Sequence, residues 1–292
     1  MKKSGMVAIV GKPNVGKSTL LNALVGEKVA IVTNKPQTTR HRICGVLKRG
    51  DTQVVFIDTP GFHKPRNALG RFMTDVIRDA SSDVDCVILV VQPEPKIGTQ
   101  EQLLLERIGT APCILAINKT DLVPKDRQLE VMAVYGAAHE FAAIVPISAR
   151  QNIGLDALTD ELMPFIPEGE YLFPDDMSSD QPDKVLVGEI IREKALELLD
   201  REVPHGIAVV VERLNQREDN LVELDATIFC EKDSHKGIII GKAGKMLGDI
   251  GSRARAELEE FYGEKVMLKL WVKVKENWRD NMGQLRNFGY TN

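Results

Sequence analysis

Short apolar runs alternate with longer amphipathic segments along the first half of this chain. Residues 7–10, 54–57, 87–91, 114–117 and 144–147 are uniformly apolar, as strands buried on both faces are, whereas a sheet with one wet face would alternate. Five such strands separated by helix-length segments predict an α/β domain built on a mostly parallel sheet with helices on its faces. Ligands of such sheets bind beyond the carboxyl ends of the strands.

After residue 183 the pattern changes. Val187, Ile190, Ile191, Leu198 and Leu199 recur at helical spacing, while Val222, Leu224, Ala226, Ile228 and Cys230 alternate with mostly polar neighbours, as do Val266, Leu268, Leu270, Val272 and Val274. The order is a helix, two one-sided strands, a glycine turn, a helix and a last strand, which predicts a smaller α+β domain. Between the halves, residues 164–183 hold four prolines and six acidic residues with no Lys or Arg. That composition reads as a linker, although the part around Tyr171 and Phe173 also suits an ordered loop on the domain surface. The expected organisation is a first domain over 1–165, a linker over 166–183, a second domain over 184–275 and a tail over 276–292.

A length of 292 residues fits two cores better than one, and an apolar content of 43% can fill both. The net charge of -4 means that nucleic-acid contact, if present, comes from local patches. Cys44, Cys86, Cys113 and Cys230 form no CxxC pair, which argues against a zinc knuckle or a disulfide framework and for a reducing, cytoplasmic setting. The apolar run behind Lys2 and Lys3 is too short for a signal-peptide core, and no run reaches the roughly 20 residues that span a bilayer. Membrane contact is therefore expected to be peripheral.

Four motifs follow four of the apolar runs. Gly11-Lys12-Pro13-Asn14-Val15-Gly16-Lys17-Ser18 matches the phosphate-binding pattern GxxxxGK[ST] between a predicted strand and a helix, and Thr19 directly after it is a further candidate nucleotide-binding residue. Its backbone N–H groups suit phosphates, Lys17 the β and γ oxygens, and Ser18 a Mg²⁺ ion. Asp58 ends the next run as a candidate metal carboxylate; Thr59, Pro60, Gly61 and Phe62 follow, with the Gly61 N–H aimed at a γ-phosphate. Asn118-Lys119-Thr120-Asp121 separates GTP from ATP. The Asp121 carboxylate can accept both guanine donors, N1 and N2, a pair adenine lacks. Lys119 can lie along the base and Asn118 can tie loops together, while Ser148-Ala149 offers a backbone N–H to guanine O6.

Gln37-Thr38-Thr39-Arg40 precedes the metal carboxylate in a polar stretch. One hydroxyl here is expected to complete the Mg²⁺ shell when the γ-phosphate is present, and Thr39 is preferred to Thr38. Lys17, Thr39 and Gly61 are the candidate catalytic residues. Phe62 and His63 stand where many GTPases carry a water-orienting Gln, so slow intrinsic hydrolysis is expected, helped by a partner or by a monovalent cation such as K⁺ held near Asn14.

In the second half, Ile240-Gly241-Lys242-Ala243-Gly244-Lys245 places a GxxG turn where a KH module clamps single-stranded nucleic acid. Gly248 and Gly251 repeat the spacing around Asp249, which would repel phosphate, so the first copy is preferred. Residues 232–255 hold six Lys or Arg against two Asp, and Lys269, Trp271 and Lys273 share one face of the last strand. A basic, aromatic face of this kind suits single-stranded RNA; it also suits an ordinary solvated strand.

The glycine-lysine-proline-asparagine phosphate loop, the Gln37-Thr38-Thr39-Arg40-His41-Arg42 segment, Asp58-Thr59-Pro60-Gly61 and the single nucleotide domain joined to a GxxG module closely resemble the Era-like group of TRAFAC GTPases over both domains. The resemblance implies a P-loop GTPase domain followed by a type II KH domain, GTP/GDP and Mg²⁺ as ligands, and a monomer. It further implies a cytoplasmic protein with weak peripheral membrane association that grips the single-stranded 3′ end of 16S rRNA during small-subunit maturation. The alternative is a GTP-regulated switch whose KH-like fold binds a protein or membrane surface.

Overall fold

The computed structural model describes every residue except 36, 62–67, 71, 72, 74–83, 109, 110, 291 and 292. The chain falls into two compact units, one of Met1–Ala30, Thr39–Arg66 and Gly70–Asp180, the other of Ile31–Thr38, Asn67–Leu69 and Gln181–Asn292.

In the first unit β1 (Lys3–Gly11), α1 (Lys17–Val25), β2 (Ile43–Arg49), β3 (Thr52–Asp58), β4 (Cys86–Val91), α2 (Thr99–Arg107), β5 (Cys113–Ile117), α3 (Lys125–Ala138), β6 (Ala143–Pro146) and α4 (Leu155–Leu162) succeed one another. The sheet order is β2-β3-β1-β4-β5-β6, and all pairs are parallel except β2 with β3. All five apolar runs became strands. Their two faces serve two cores: Val7 and Ile9 pack with Leu20, Leu21, Leu158 and Leu162, whereas Ala8 and Val10 pack with Leu104, Val131 and Tyr135. Burial on both faces explains why no alternation showed. Strand β2 was not anticipated, because its outer end, Lys48 and Arg49, is exposed and its apolar part is short.

The acidic stretch is not a free linker. Val46 N donates to Ser178 O (2.8 Å), Cys44 N to Asp180 Oδ1 (3.1 Å), and buried Gln53 bonds the backbone of Leu172 and Phe173 at 2.8 to 3.0 Å. Residues 166–180 therefore run along the sheet, bonding β3 through Gln53 and the edge strand β2 through Ser178 and Asp180, and belong to the first unit, the ordered-loop reading extended along most of the segment. An edge strand left bare would offer unpaired backbone groups.

The second unit contains α5 (Asp183–Leu198), β7 (Ala208–Gln216), β8 (Leu221–Cys230), α6 (Asp233–Ile240), α7 (Lys245–Tyr262), β9 (Lys265–Val274) and α8 (Met282–Asn287). Strand β8 is central, antiparallel to β7 and parallel to β9. Val187, Ile190 and Ile191 of α5 and Ala254 and Leu258 of α7 cover the sheet face formed by Val222, Leu224, Ala226 and Val266. The expected tail is part of this unit: Trp278 is fully buried, donates from Nε1 to Gly206 O (3.0 Å) and packs its ring against Phe288 and Tyr290.

Candidate nucleotide and RNA sites

The end of β1 feeds the phosphate loop and α1 begins at Lys17, so the loop N–H groups and the helix start converge. Lys17 is buried, and its ammonium donates to Gly11 O (3.2 Å) and Lys12 O (2.9 Å). Burial pulls its pKa down to about 8, against the opposing pull of Asp58. Val15 turns its side chain into the core, and the Lys12 ammonium is held by Glu101 of α2.

Three oxygens meet beside Lys17. Ser18 Oγ lies 2.6 Å from Asp58 Oδ2 and 2.8 Å from Thr39 Oγ1, which is 3.3 Å from the same carboxylate oxygen. The Thr38 hydroxyl instead donates to Lys35 O (2.6 Å) and lies 2.8 Å from Thr33 Oγ1. Asp58 is fully buried, which raises its pKa, yet its Oδ1 has no hydrogen-bond partner. A buried carboxylate oxygen left open next to two hydroxyls fits a hard cation with oxygen ligands, so Ser18, Thr39 and Asp58 suit Mg²⁺. Gly61 approaches the phosphate loop so closely that a Cβ there would lie 2.7 Å from Pro13 Cα. Thr59 turns away from any ligand, because its buried hydroxyl donates to Ile9 O (3.0 Å). Phe62 and His63 lie outside the described residues.

At the base-reading end, Asn118 Nδ2 donates to Val15 O (2.8 Å) and its Oδ1 accepts from Ala149 N (3.0 Å), tying the phosphate loop to the loop after β6. The Ala149 N–H expected at guanine O6 is thus engaged by Asn118. Lys119, in a left-handed conformation at φ 64, donates to Asn14 O (2.7 Å), and partial burial lowers its pKa against the pull of Asp121 and Glu94. Ser148 Oγ donates to Asp121 Oδ1 (2.6 Å), leaving the other carboxylate oxygen available. Sequence reading missed Thr120, whose hydroxyl anchors on Ile147 O (2.8 Å), and Gln92, which donates to Asn14 O (3.1 Å). Thr120 sat inside a recognised motif, whereas nothing local marks Gln92.

In the second unit the favoured GxxG is a turn between α6 and α7. Gly241 has φ 72 and a Cβ there would meet Met246 Cβ at 2.7 Å, so only glycine fits without movement. Lys242, Ala243 and Lys245 are exposed, and Ile240 packs into the core behind the turn. Gly248 and Gly251 lie within α7, where no turn exists. Lys269, Trp271 and Lys273 are exposed, with Trp271 at 43%, on the sheet face opposite that covered by α5 and α7. The structure therefore does not join them to the GxxG in one surface. Lys273 also pairs with Glu212 (3.6 Å).

Comparison with known proteins agrees with this geometry. Residues 6–119 match the family described as 50S ribosome-binding GTPase and residues 202–279 the KH domain. A curated GTPase Era of Caldanaerobacter subterraneus subsp. tengcongensis is 49% identical over 99% of this chain and 98% of its own. The chain belongs to the GTPase Era family. Another Era, of Ruminiclostridium cellulolyticum, is 47% identical over 99% of this chain and 97% of its own. Among solved structures, Era in complex with MgGDPNP and nucleotides 1506–1542 of 16S ribosomal RNA is similar at TM-score 0.96 and 39% identity, covering 100% of both chains. An Aquifex aeolicus Era variant bound to GDP and AlF₄⁻ is similar at TM-score 0.94 and 40% identity, over 99% of this chain and 100% of that one. As a member of this family the chain is a GTP-hydrolysing enzyme with a P-loop GTPase domain and a C-terminal KH domain.

Proposed function

We propose that this chain is a GTP-driven switch that grips the single-stranded 3′ end of 16S rRNA with its GxxG turn and acts in maturation of the small ribosomal subunit. The observation that carries the reading is the pairing, in one chain, of a guanine-reading carboxylate, Asp121 braced by Ser148, with a glycine turn that exposes Lys242 and Lys245. The backbone N–H groups of the phosphate loop and the Lys17 ammonium bind and orient the triphosphate. Asp121 selects guanine, and Gly61, close against Pro13 of the loop, offers its N–H to the γ-phosphate. Ser18, Asp58 and Thr39 would hold Mg²⁺, which when bound would neutralise charge on the phosphates.

In the same scheme Asn14 would help hold a monovalent cation such as K⁺, whose charge would assist hydrolysis, and equal turnover in potassium and in sodium would remove it. The protein works as a monomer in the cytoplasm with weak peripheral membrane contact; among the described residues no helix is long and apolar enough to cross a membrane. Crosslinking the GTP-bound protein to cellular RNA tests the main reading. Recovery of the small-subunit rRNA 3′ end supports it, and disappearance of that signal with Lys242→Glu/Lys245→Glu assigns the binding to the turn. A protein or membrane surface as the sole target, with no RNA recovered, would refute it.

A further inference from the structure

The segment Ile31–Thr38 follows the phosphate-loop helix and leads into the metal-site threonine, yet it is part of the second unit. Ile31 is 1% exposed and packs among Ala195, Leu196, Leu199 and Ile207. Val32 N donates to Glu193 Oε1 (3.3 Å), and Lys35 pairs with Asp200 (2.7 Å). Arg192 of α5, fully buried, makes the most specific link. Its Nη1 donates to Gln37 O (3.4 Å) and its Nη2 to Thr38 O, while Nε donates to Glu189 Oε1 (2.7 Å) and Nη2 also reaches Glu189 Oε2. Burial opposes the guanidinium charge, and Glu189 together with Tyr290 and Glu193 outweighs it, so the pKa is raised and the group stays charged.

The Thr38 carbonyl and the Thr39 nitrogen belong to one planar peptide group. Holding that oxygen fixes the plane, and the plane sets the direction in which the Thr39 side chain leaves the backbone. The Thr39 hydroxyl in turn sits 2.8 Å from Ser18 Oγ and 3.3 Å from Asp58 Oδ2. Only a rigid fork with several donors can hold two successive carbonyls and a carboxylate together, which a lysine ammonium does not reproduce.

We propose that Arg192 is a positioning residue for the GTP-bound state: it presents Thr39 to the metal site and so makes binding of the triphosphate, not of the diphosphate, depend on a helix of the RNA-binding unit. The inference rests on the reading of Thr39 as the ligand used with GTP. It also gives coupling in the other direction, since whatever the helix contributes to GTP binding must return as GTP-dependent ordering of the helix.

The test measures binding of a non-hydrolysable GTP analogue and of GDP, both with Mg²⁺, to Arg192→Lys, to Thr39→Ala and to the double variant. Arg192→Lys is expected to weaken the analogue by about tenfold or more, as loss of a charge-assisted hydrogen bond does, and GDP by no more than about twofold. The double variant is expected to be no weaker than Thr39→Ala alone, since both act through one hydroxyl. Because Arg192→Met strands Glu189 in the interior, Glu189→Gln/Arg192→Met serves as the second variant, with the same expected split. Hydrogen exchange adds a readout free of catalysis: the analogue, compared with GDP, slows exchange over 31–38 and 186–196 in the wild type and not in Arg192→Lys. Equal weakening of both nucleotides, or of neither, overturns the role of Arg192 while leaving the Thr39 reading intact. Unchanged analogue binding in Thr39→Ala overturns the Thr39 reading and this inference with it.

Discussion

Ser18 Oγ donates to Asp58 Oδ2 at 2.6 Å, joining the first helix after the phosphate loop to the end of a central strand, while the other oxygen of that carboxylate is buried without a partner. The fold thus carries a desolvated charge whose second lone-pair set is open, and burial raises the Asp58 pKa. Removing the charge should help the ligand-free fold and harm the liganded one. Asp58→Asn is expected to melt no lower than the wild type without nucleotide, yet to lose Mg²⁺-dependent GTP affinity by at least about tenfold. Melting curves and GTP titrations with and without Mg²⁺ check this; a variant whose GTP affinity still rises with Mg²⁺ as in the wild type contradicts the metal assignment.

Lys17 gives a pH dependence with a definite sign. Its pKa is depressed from 10.5 to about 8 by burial, so the ligand-free enzyme loses this proton as pH rises through about 8. Between about 8 and 10.5 the unfolded chain holds the proton and the folded chain does not, so the ligand-free fold gains stability across that window. Triphosphate binding needs the charged form and must lose affinity over the same window. From pH 7 to pH 9 GTP affinity is expected to fall about tenfold. Lys17→Arg, which keeps its proton, should bind more weakly overall but with a flatter profile, and identical slopes in both proteins would assign the effect to another group.

The nucleotide site was legible in the sequence because its chemistry is local. Gly11 to Ser18 and Asn118 to Asp121 each put several functional groups within one loop, and uniformly apolar strands placed both loops on one rim. What depended on distant partners was not legible. Glu101 holding Lys12, Gln92 donating to Asn14 and Ala149 N–H bonding Asn118 are joined only by the fold. The strap along β2 and β3 was hidden by its composition, since acidic, proline-containing sequence is common to linkers and to ordered edge covers. Residues Lys269, Trp271 and Lys273 show the opposite failure: strand alternation correctly gave them one face, but sequence could not say that the helices flanking the GxxG pack on the other.

The Lys12–Glu101 pair ties the phosphate loop to the start of α2, where Glu101 Oε2 also accepts from Gly98 N (3.1 Å). The side chains are 31% and 10% exposed, so the pair is more than a solvated surface contact. A tied loop loses less freedom when phosphates bind. Lys12→Gln and Glu101→Gln are each expected to speed release of GDP and GTP alike, with a coupling energy of about 1–3 kcal/mol in the double-mutant cycle. Stopped-flow release of a fluorescent nucleotide measures it, and strictly additive effects would show that the two side chains act independently.

The two basic surfaces of the second unit separate cleanly by mutation. At Gly241 an added Cβ meets Met246 Cβ at 2.7 Å and its N at 2.9 Å, with φ at 72, so Gly241→Ala must displace backbone at the turn. Lys242 and Lys245 beside it are exposed. Binding of a short single-stranded RNA should therefore fall about tenfold or more in Gly241→Ala. Its salt dependence should become shallower in Lys242→Gln/Lys245→Gln, by about one counterion for each phosphate that the turn no longer neutralises. On the far face, Lys269→Gln/Trp271→Ala/Lys273→Gln removes charge and stacking surface without touching the helices. If only the GxxG turn grips a short strand, this triple variant binds it as the wild type does; an equal weakening from both sets would mean that the RNA wraps from one sheet face to the other. Fluorescence anisotropy at several salt concentrations, with nucleotide affinity as the control for folding, distinguishes the two paths.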